Sequence, residues 1–174
     1  ANSVDQNFDA SAKQADDLLW YMKVGDVAAI DKFEITSKPG RSTNPTGQGA
    51  GNPMVIPLYT FTPKNLRGRA PMLVFIHGGV HANFDSGYAH IIRELMNEGY
   101  VVVAPEYRGS TGYGEDFYDQ IDYGGAEVDD VKAARDWAVE NLASVDPKRV
   151  GIIGWSHGGY QTLLNIFRWP DAYQ

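Results

Sequence analysis

Three continuous apolar runs constrain this chain more than any other feature. Met72-Leu-Val-Phe-Ile76, Tyr100-Val-Val-Val-Ala104 and Arg149-Val-Gly-Ile-Ile153 read as strands. They do not alternate apolar with polar residues, so both of their faces need covering. Tyr88, Ile91, Ile92, Leu95 and Met96 repeat at helical spacing between the first two runs. Val128, Val131, Ala134, Ala138 and Leu142 form a second stripe, and a third helix is predicted over 157–168. Strands that alternate with helices in this way predict an α/β fold, a mostly parallel sheet with helices on both faces. A chain of 174 residues can bury one sizeable core but is short of two ordinary domains.

The first 53 residues have a different texture. Residues 11–22 predict a helix, with Ser11 and Gln14 fitting a capping box and Ala15, Leu18, Leu19 and Met22 as its apolar stripe. Phe33 to Ser37 reads as a short strand and Met54 to Thr62 as a second. Pro57 has no N–H to give a ladder, which predicts an edge position or a bulge there. The stretch 38–53, rich in Gly, Pro, Ser, Thr and Asn, lies between the two strands and reads as a wide hairpin connection. Residues 1–53 are therefore expected to belong to the same domain as 54–174.

Composition removes several function classes. There is no cysteine, so disulfides, thiolate–zinc sites and a cysteine nucleophile are excluded. His77 and His81 have no third ligand at a workable spacing, so no metal is expected. A net charge of −7 disfavours nucleic acid as a partner. No apolar run approaches the roughly 20 residues that a membrane span needs. The start at Ala1-Asn-Ser fits the scar of a removed export signal, pointing to an exported protein, or a trimmed chain.

The chemistry concentrates in Gly154-Trp155-Ser156-His157-Gly158-Gly159, a G-x-S-x-G sequence directly after the third apolar run and before a helix. That is the setting of a nucleophile elbow. The turn is too tight for side chains two positions either side of the serine, which accounts for Gly154 and Gly158. It presents the Ser156 hydroxyl above the sheet and leaves the His157 N–H to stabilise an oxyanion. An ordinary Gly-rich strand-to-helix turn is the plain alternative. His77-Gly78-Gly79 ends the first apolar run. Its glycines let backbone N–H groups approach a substrate oxygen, unless it too is an ordinary turn.

The stretches HGG (77–79), EYRGSTGYG (106–114) and VDPKRVGIIGWSHGGY (145–160), in this order and spacing, resemble the α/β-hydrolase catalytic domain of the prolyl oligopeptidase family. The acylaminoacyl-peptidase and dipeptidyl-peptidase branches are the most similar, and the resemblance runs from about residue 54 to the end. It implies an α/β-hydrolase fold with Ser156 as the acylated nucleophile and no cofactor. It also implies an oxyanion hole from the His157 N–H and the HGG segment. Some branches carry a tyrosine where His77 stands, so here the Gly78 N–H or the His77 ring would serve. Gly79, Arg108, Tyr113 and Trp155 are expected to shape the substrate pocket, with a purely structural role as the alternative for Arg108.

One departure matters. In this fold the triad acid and histidine follow the nucleophile. After Ser156 the sequence contains Asp171 but no histidine beyond His157, whose ring should point away from the hydroxyl. His77, His81 and His90 all precede the serine. The fold is thus expected to be incomplete after the nucleophile helix, with the remainder in a second chain or further sequence. The expected function is serine-dependent hydrolysis of a small ester or peptide. The absence of room for a propeller in residues 1–53 leans towards esters. A non-catalytic binding module or inactive fragment on the same scaffold is the alternative.

Overall fold

The computed structural model describes residues 3–174, so Ala1 and Asn2, part of the expected processing scar, lie outside the described residues. Helix α1 (Ser3–Val24) precedes an antiparallel hairpin of β1 (Ala28–Pro39) and β2 (Pro53–Pro63). There follow β3 (Ala70–Ile76), a 3₁₀ turn at Ser86–Tyr88 leading into α2 (Ala89–Asn97), and β4 (Val101–Pro105). The short α3 (Glu115–Tyr118), α4 (Ala126–Asn141), β5 (Val145–Gly154) and α5 (His157–Arg168) complete the order, with a last 3₁₀ turn at Pro170–Ala172. The strands make one sheet in the order β1-β2-β4-β3-β5. The three apolar runs pair in parallel through β3, and β2 runs antiparallel to β1 and to β4.

Side chains leave a strand on alternate faces, and each face has its own core. Ile56, Leu58, Met72, Val74, Ile76, Val101 and Val103 pack with Val131, Ala134 and Ala138 of α4. Phe61, Phe75, Val102 and Ala104 pack on the other face with Trp20 and Val24 of α1 and Ile92 and Met96 of α2. This double covering explains why the strand runs are apolar throughout. Among the described residues no helix is long and apolar enough to cross a membrane.

Three local expectations are corrected. Pro57 lies in β2, which is flanked by β1 and β4 rather than at an edge, and no bulge marks the position. The Glu106 N–H donates to the Pro57 carbonyl at 2.9 Å, one residue past the end of β4. N–H and C=O of one residue share a side in an antiparallel ladder, so the missing N–H of Pro57 falls where β4 stops. Ser11 is no N-cap: it sits inside α1, and its hydroxyl donates to the Asn7 carbonyl at 2.9 Å.

The apolar stripe of α1 faces the other way. Leu18 and Met22 are 68% and 81% exposed, while Lys13, Trp20 and Val24 are buried. The buried face runs Lys13, Asp17, Trp20, Val24, also a helical repeat, and it is held by charge as much as by oil. Lys13 Nζ donates to the Phe84 carbonyl at 2.8 Å, and Asp16 accepts from the Ser86 hydroxyl and N–H at 2.6 and 2.9 Å. Trp20 stacks on Phe84 with ring centroids 5.4 Å apart and meets Phe61 edge-on at 4.9 Å. Trp20→Ala should therefore cost about 3–5 kcal/mol, whereas Met22→Ala should stay within about 0.5 kcal/mol of the parent. Urea midpoints at unchanged slope measure both, and equal effects would mean that α1 docks by its other face.

Candidate active site

Strand β5 delivers Ser156 at the carboxyl end of the parallel half of the sheet, the edge where loops gather in open α/β sheets. Ser156 adopts φ 54° and ψ −116°, a left-handed conformation that side-chain-bearing residues rarely hold. Close backbone packing enforces it. A Cβ on Gly154 would overlap the Gly158 carbonyl, and a Cβ on Gly158 would overlap the Ile76 carbonyl at the end of β3. The turn is pinned by Trp155 N–H donating to the Ile76 carbonyl at 3.2 Å and Gly158 N–H to the Trp155 carbonyl at 2.8 Å. His157 is the first residue of α5 and so carries one of the N–H groups that a helix leaves without a partner in its own turn.

The HGG segment lies alongside. A Cβ on Gly78 would sit 3.3 Å from the Ser156 Cβ and 2.7 Å from the Trp155 ring. The Gly78 N–H reaches only the Tyr88 hydroxyl, at a long 3.4 Å. Gly79 holds φ 65° and its carbonyl accepts from the Tyr107 hydroxyl, which fixes the following turn. Trp155 is 70% exposed and borders an open groove of about 400 Å³ with Asp85, Tyr88, His90 and Ile91. Ser156, His157, Gly78, Gly79 and Trp155 therefore converge on one spot.

The His77 ring does not join them. It is completely buried, stacks on Tyr107 at 4.3 Å, and its two nitrogens lie 2.9 Å from the Gly78 carbonyl and the Ser110 hydroxyl. Burial holds it below the usual histidine range, against the pull of Glu106. Of the two donors the HGG segment could offer, the ring is committed inside the loop, while the Gly78 N–H makes only a long contact with the Tyr88 hydroxyl among the described residues.

Arg108 and Tyr113 make their contacts on other elements than the elbow. Arg108 is buried and forms a two-pronged pair with Asp130 of α4, Nε to Oδ2 and Nη2 to Oδ1 both at 2.8 Å. It also donates to the Lys38 carbonyl at 2.9 Å, so it is a strut between β1 and α4. Tyr113 sits beside Lys32, Phe33, Glu34 and Pro57. The strands it covers, β1 and β2, lie at the far side of the sheet; β2 is three inter-strand steps from β5, about 14 Å. Burial and the Glu106 carboxylate hold its phenol well above the usual tyrosine range.

Among the described residues no imidazole hydrogen-bonds the Ser156 hydroxyl. His81 stacks on Tyr118 with Nδ1 at 2.9 Å from the Gly109 carbonyl, and His90 Nδ1 lies 3.1 Å from the Gly87 carbonyl. The His157 ring turns inward, its Nε2 3.5 Å from Glu127 Oε1 and its ring 6.0 Å from Tyr107. Burial, then the nearby His77, keep it below the ordinary range.

Several residues that hold this site in place had no role legible in the sequence, Glu106 among them although it opens the 106–114 stretch. Glu106 is buried, accepts from the Phe84 N–H, and has Oε1 3.6 Å from His77 Nε2 and Oε2 3.8 Å from Lys13. Lys13, Asp16 and Asp17 read as one solvated helix face, since acids three and four positions from a lysine are what an exposed helix carries. Their partners (Phe84, Ser86 and Glu106 for Lys13 and Asp16, Lys32 and Tyr59 for Asp17) lie on other elements of the chain, beyond the reach of any local pattern.

A model of the prolyl oligopeptidase family matches residues 87–174. The chain is 40% identical over 108 residues to the uncharacterized peptidase YuxL of Bacillus subtilis (strain 168), covering 60% of this chain and 16% of that protein. It is 30% identical over 154 residues to acylamino-acid-releasing enzyme 1 of Oryza sativa subsp. japonica, covering 87% of this chain and 19% of that protein. Among solved structures, Pyrococcus horikoshii acylaminoacyl peptidase superposes with a TM-score of 0.66 at 22% identity, over 84% of this chain and 22% of that one. That likeness carries the α/β-hydrolase fold. The chain spans less than a fifth of the length of these two curated relatives.

The elbow geometry predicts opposite outcomes for adjacent glycines. Gly158→Ala drives a methyl into the Ile76 carbonyl and should cost more than the roughly 1–3 kcal/mol of an ordinary overpacked site. Gly159→Ala, whose Cβ would stand 3.4 Å from the Gly154 carbonyl, should be tolerated or stabilising. Thermal midpoints of the two variants test the packing directly.

Proposed function

The chain belongs to the prolyl oligopeptidase family, and on that premise we propose that it is the nucleophile-bearing part of a serine hydrolase that cleaves peptide or ester bonds. The observation that carries the proposal is the left-handed Ser156, held between glycines that tolerate no Cβ, with Gly78 at its side. Residues 1–53 and 54–174 act as one domain in this reading, supported by the sheet that continues from β1 to β5.

The steps follow from the geometry. Ser156 Oγ attacks the substrate carbonyl carbon, and its proton passes to an imidazole supplied by sequence outside this chain. The His157 and Gly78 N–H groups hold the negative oxygen of the tetrahedral intermediate. The intermediate collapses, the imidazolium protonates the leaving group, and an acyl-serine remains. Water, deprotonated by the same imidazole, releases the acid and restores Ser156. The positions of the four histidine rings support an outside base. Strand β5 is an edge of the sheet, and Leu163, Ile166 and Phe167 of α5 are exposed. Both features suit further strands and helices that would bring the triad aspartate and histidine. The peptidase names of the relatives favour peptides over esters as substrate.

A non-catalytic module is the second reading, favoured only by the missing hydroxyl–imidazole bond. A fluorophosphonate probe separates the two. The full-length protein should label at Ser156 and Ser156→Ala should not. Aminoacyl-p-nitroanilides against p-nitrophenyl esters then rank the substrate classes. The isolated 174-residue chain should show negligible turnover, and full turnover by the pure chain would overturn the outside base.

A further inference from the structure

Beneath the elbow lies a polar cluster that the hydrolysis steps do not use. Glu127, in the first turn of α4, is completely buried, and its two oxygens accept from the N–H groups of Gly124 and Gly125, the latter at 3.0 Å. Asp122, at the other side of the same turn, caps α4 by accepting from the Ala126 N–H at 2.8 Å. The turn is tightly shaped. Tyr123 holds φ 53° and Gly124 φ 102°, and a Cβ on Gly124 would stand 2.5 Å from the Tyr160 hydroxyl of α5.

The cluster reaches the nucleophile through α5. Glu127 Oε1 is 3.5 Å from His157 Nε2, a buried nitrogen that makes no hydrogen bond within the described residues. The His157 ring is enclosed by Tyr107, Tyr123 and Tyr160 at 6.0, 6.3 and 5.5 Å. At the far end of α5, Arg168 donates to the Gly124 carbonyl and, at 3.4 Å, to the Gly125 carbonyl. The far end of α5 is thus hydrogen-bonded to the 122–127 turn, and the end beside Ser156 packs against it through the His157 ring. At the end beside Ser156, Glu127 is the carboxyl group that approaches the His157 ring, in addition to the backbone contacts of the elbow itself.

We propose that Glu127 is a positioning residue for the nucleophile elbow, acting through the His157 ring to hold the His157 N–H beside Ser156. The proposal rests on the reading of Ser156 as the nucleophile. Glu127 has no path to the reacting atoms, since His157 stands between, so its effect is one of placement. A misplacement of about 1 Å at such a site costs roughly a hundredfold in rate.

The placement carries a pH dependence. Burial, then the Asp122 carboxyl beside it, push Glu127 up to about 7. The groups that face it are Asp122 in the turn, Tyr107 from the loop after β4, and His157 from α5, while Tyr160 and Arg168 of α5 reach the Gly124 and Gly125 backbone of the same turn. A carboxyl raised above its unfolded value stabilises the folded form below that unfolded value. The contribution is lost as pH rises through the folded value. Above about pH 7 two carboxylates share the turn and the hold on His157 loosens.

The test uses the full-length protein, with the rate of Ser156 labelling by a fluorophosphonate as the readout, and Glu127→Gln and Glu127→Ala as variants. Taking the ratio of wild type to Glu127→Gln cancels the titration of the catalytic base. The ratio should be near one at pH 5.5 and fall severalfold by pH 8, because the amide mimics the protonated carboxyl. Glu127→Ala should label roughly 10–100-fold more slowly at every pH. The ¹³Cε1 shift of His157 should titrate near pH 7 in wild type and lose that inflection in Glu127→Gln. A flat ratio, or an unmoved His157 titration, overturns the proposal. Absence of labelling in wild type sinks the serine-hydrolase reading instead, and the His157 titration still decides the contact with Glu127.

Discussion

The contact on which the rest of the site depends is backbone against backbone, where the turn after β5 crosses the end of β3. Gly158 rides on the Ile76 carbonyl and Gly154 on the Gly158 carbonyl, with no space for a methyl at either point. Such an approach forces Ser156 into its left-handed conformation, a strain of about 1–3 kcal/mol. The parallel β3–β5 ladder offsets it, with register from Met72 opposite Val150 to Ile76 opposite Gly154. Moving β5 by one residue would invert its faces and lift the elbow from β3. The course of the main chain at the serine is therefore set first by the sheet register.

The loops around the serine are secured differently, by buried charge. Arg108 and Asp130 tie the loop after β4 to α4 and β1. Lys13, Asp16 and Glu106 tie α1 to the segment that follows the HGG turn. Buried ion pairs are weak sources of net stability, because the desolvation of both partners consumes most of their attraction. Their directionality is what an apolar contact cannot supply. Asp130 accepts from the Arg108 N–H as well as from its guanidinium, and Ser37 adds a further donor to the same carboxylate. Each carboxylate thereby fixes a main-chain position.

This division explains what could be read from the sequence. The β3, β4 and β5 runs and the elbow were legible because their causes are local. A strand covered on both faces must be apolar, and a turn without space must be glycine. Gly154, Gly158 and Gly78 carry their structural reason in their identity. The face of α1 was not legible, because Leu18 and Met22 make the better apolar stripe, yet Lys13 and Trp20 find partners in Phe84 and Phe61. Pro57 misled for a similar reason: its missing N–H is harmless only because β4 happens to end opposite it. Arg108, Tyr113, Glu106 and Glu127 are ordinary charged or aromatic residues in sequence, and only the fold decides which of them are buried and against what.

The distribution of groups also bears on how this family can vary its chemistry. In the proposed mechanism, everything the described residues offer to the reacting carbonyl comes from the β5–α5 turn and the HGG segment, both rooted at the ends of β3 and β5. The oxyanion donors of the proposed mechanism are main chain, so altering them by substitution would disturb the packing at Gly154 and Gly158. The nucleophile needs a proton acceptor, and the four imidazoles here are each directed elsewhere. Proton transfer is therefore separable from oxyanion binding in this architecture. On the proposed reading, a chain that keeps the elbow holds the tetrahedral geometry ready, while turnover waits on the element that carries the base. Any control of the base, whether by docking, closure or sequence change, would switch the rate without disturbing the preorganised half of the site.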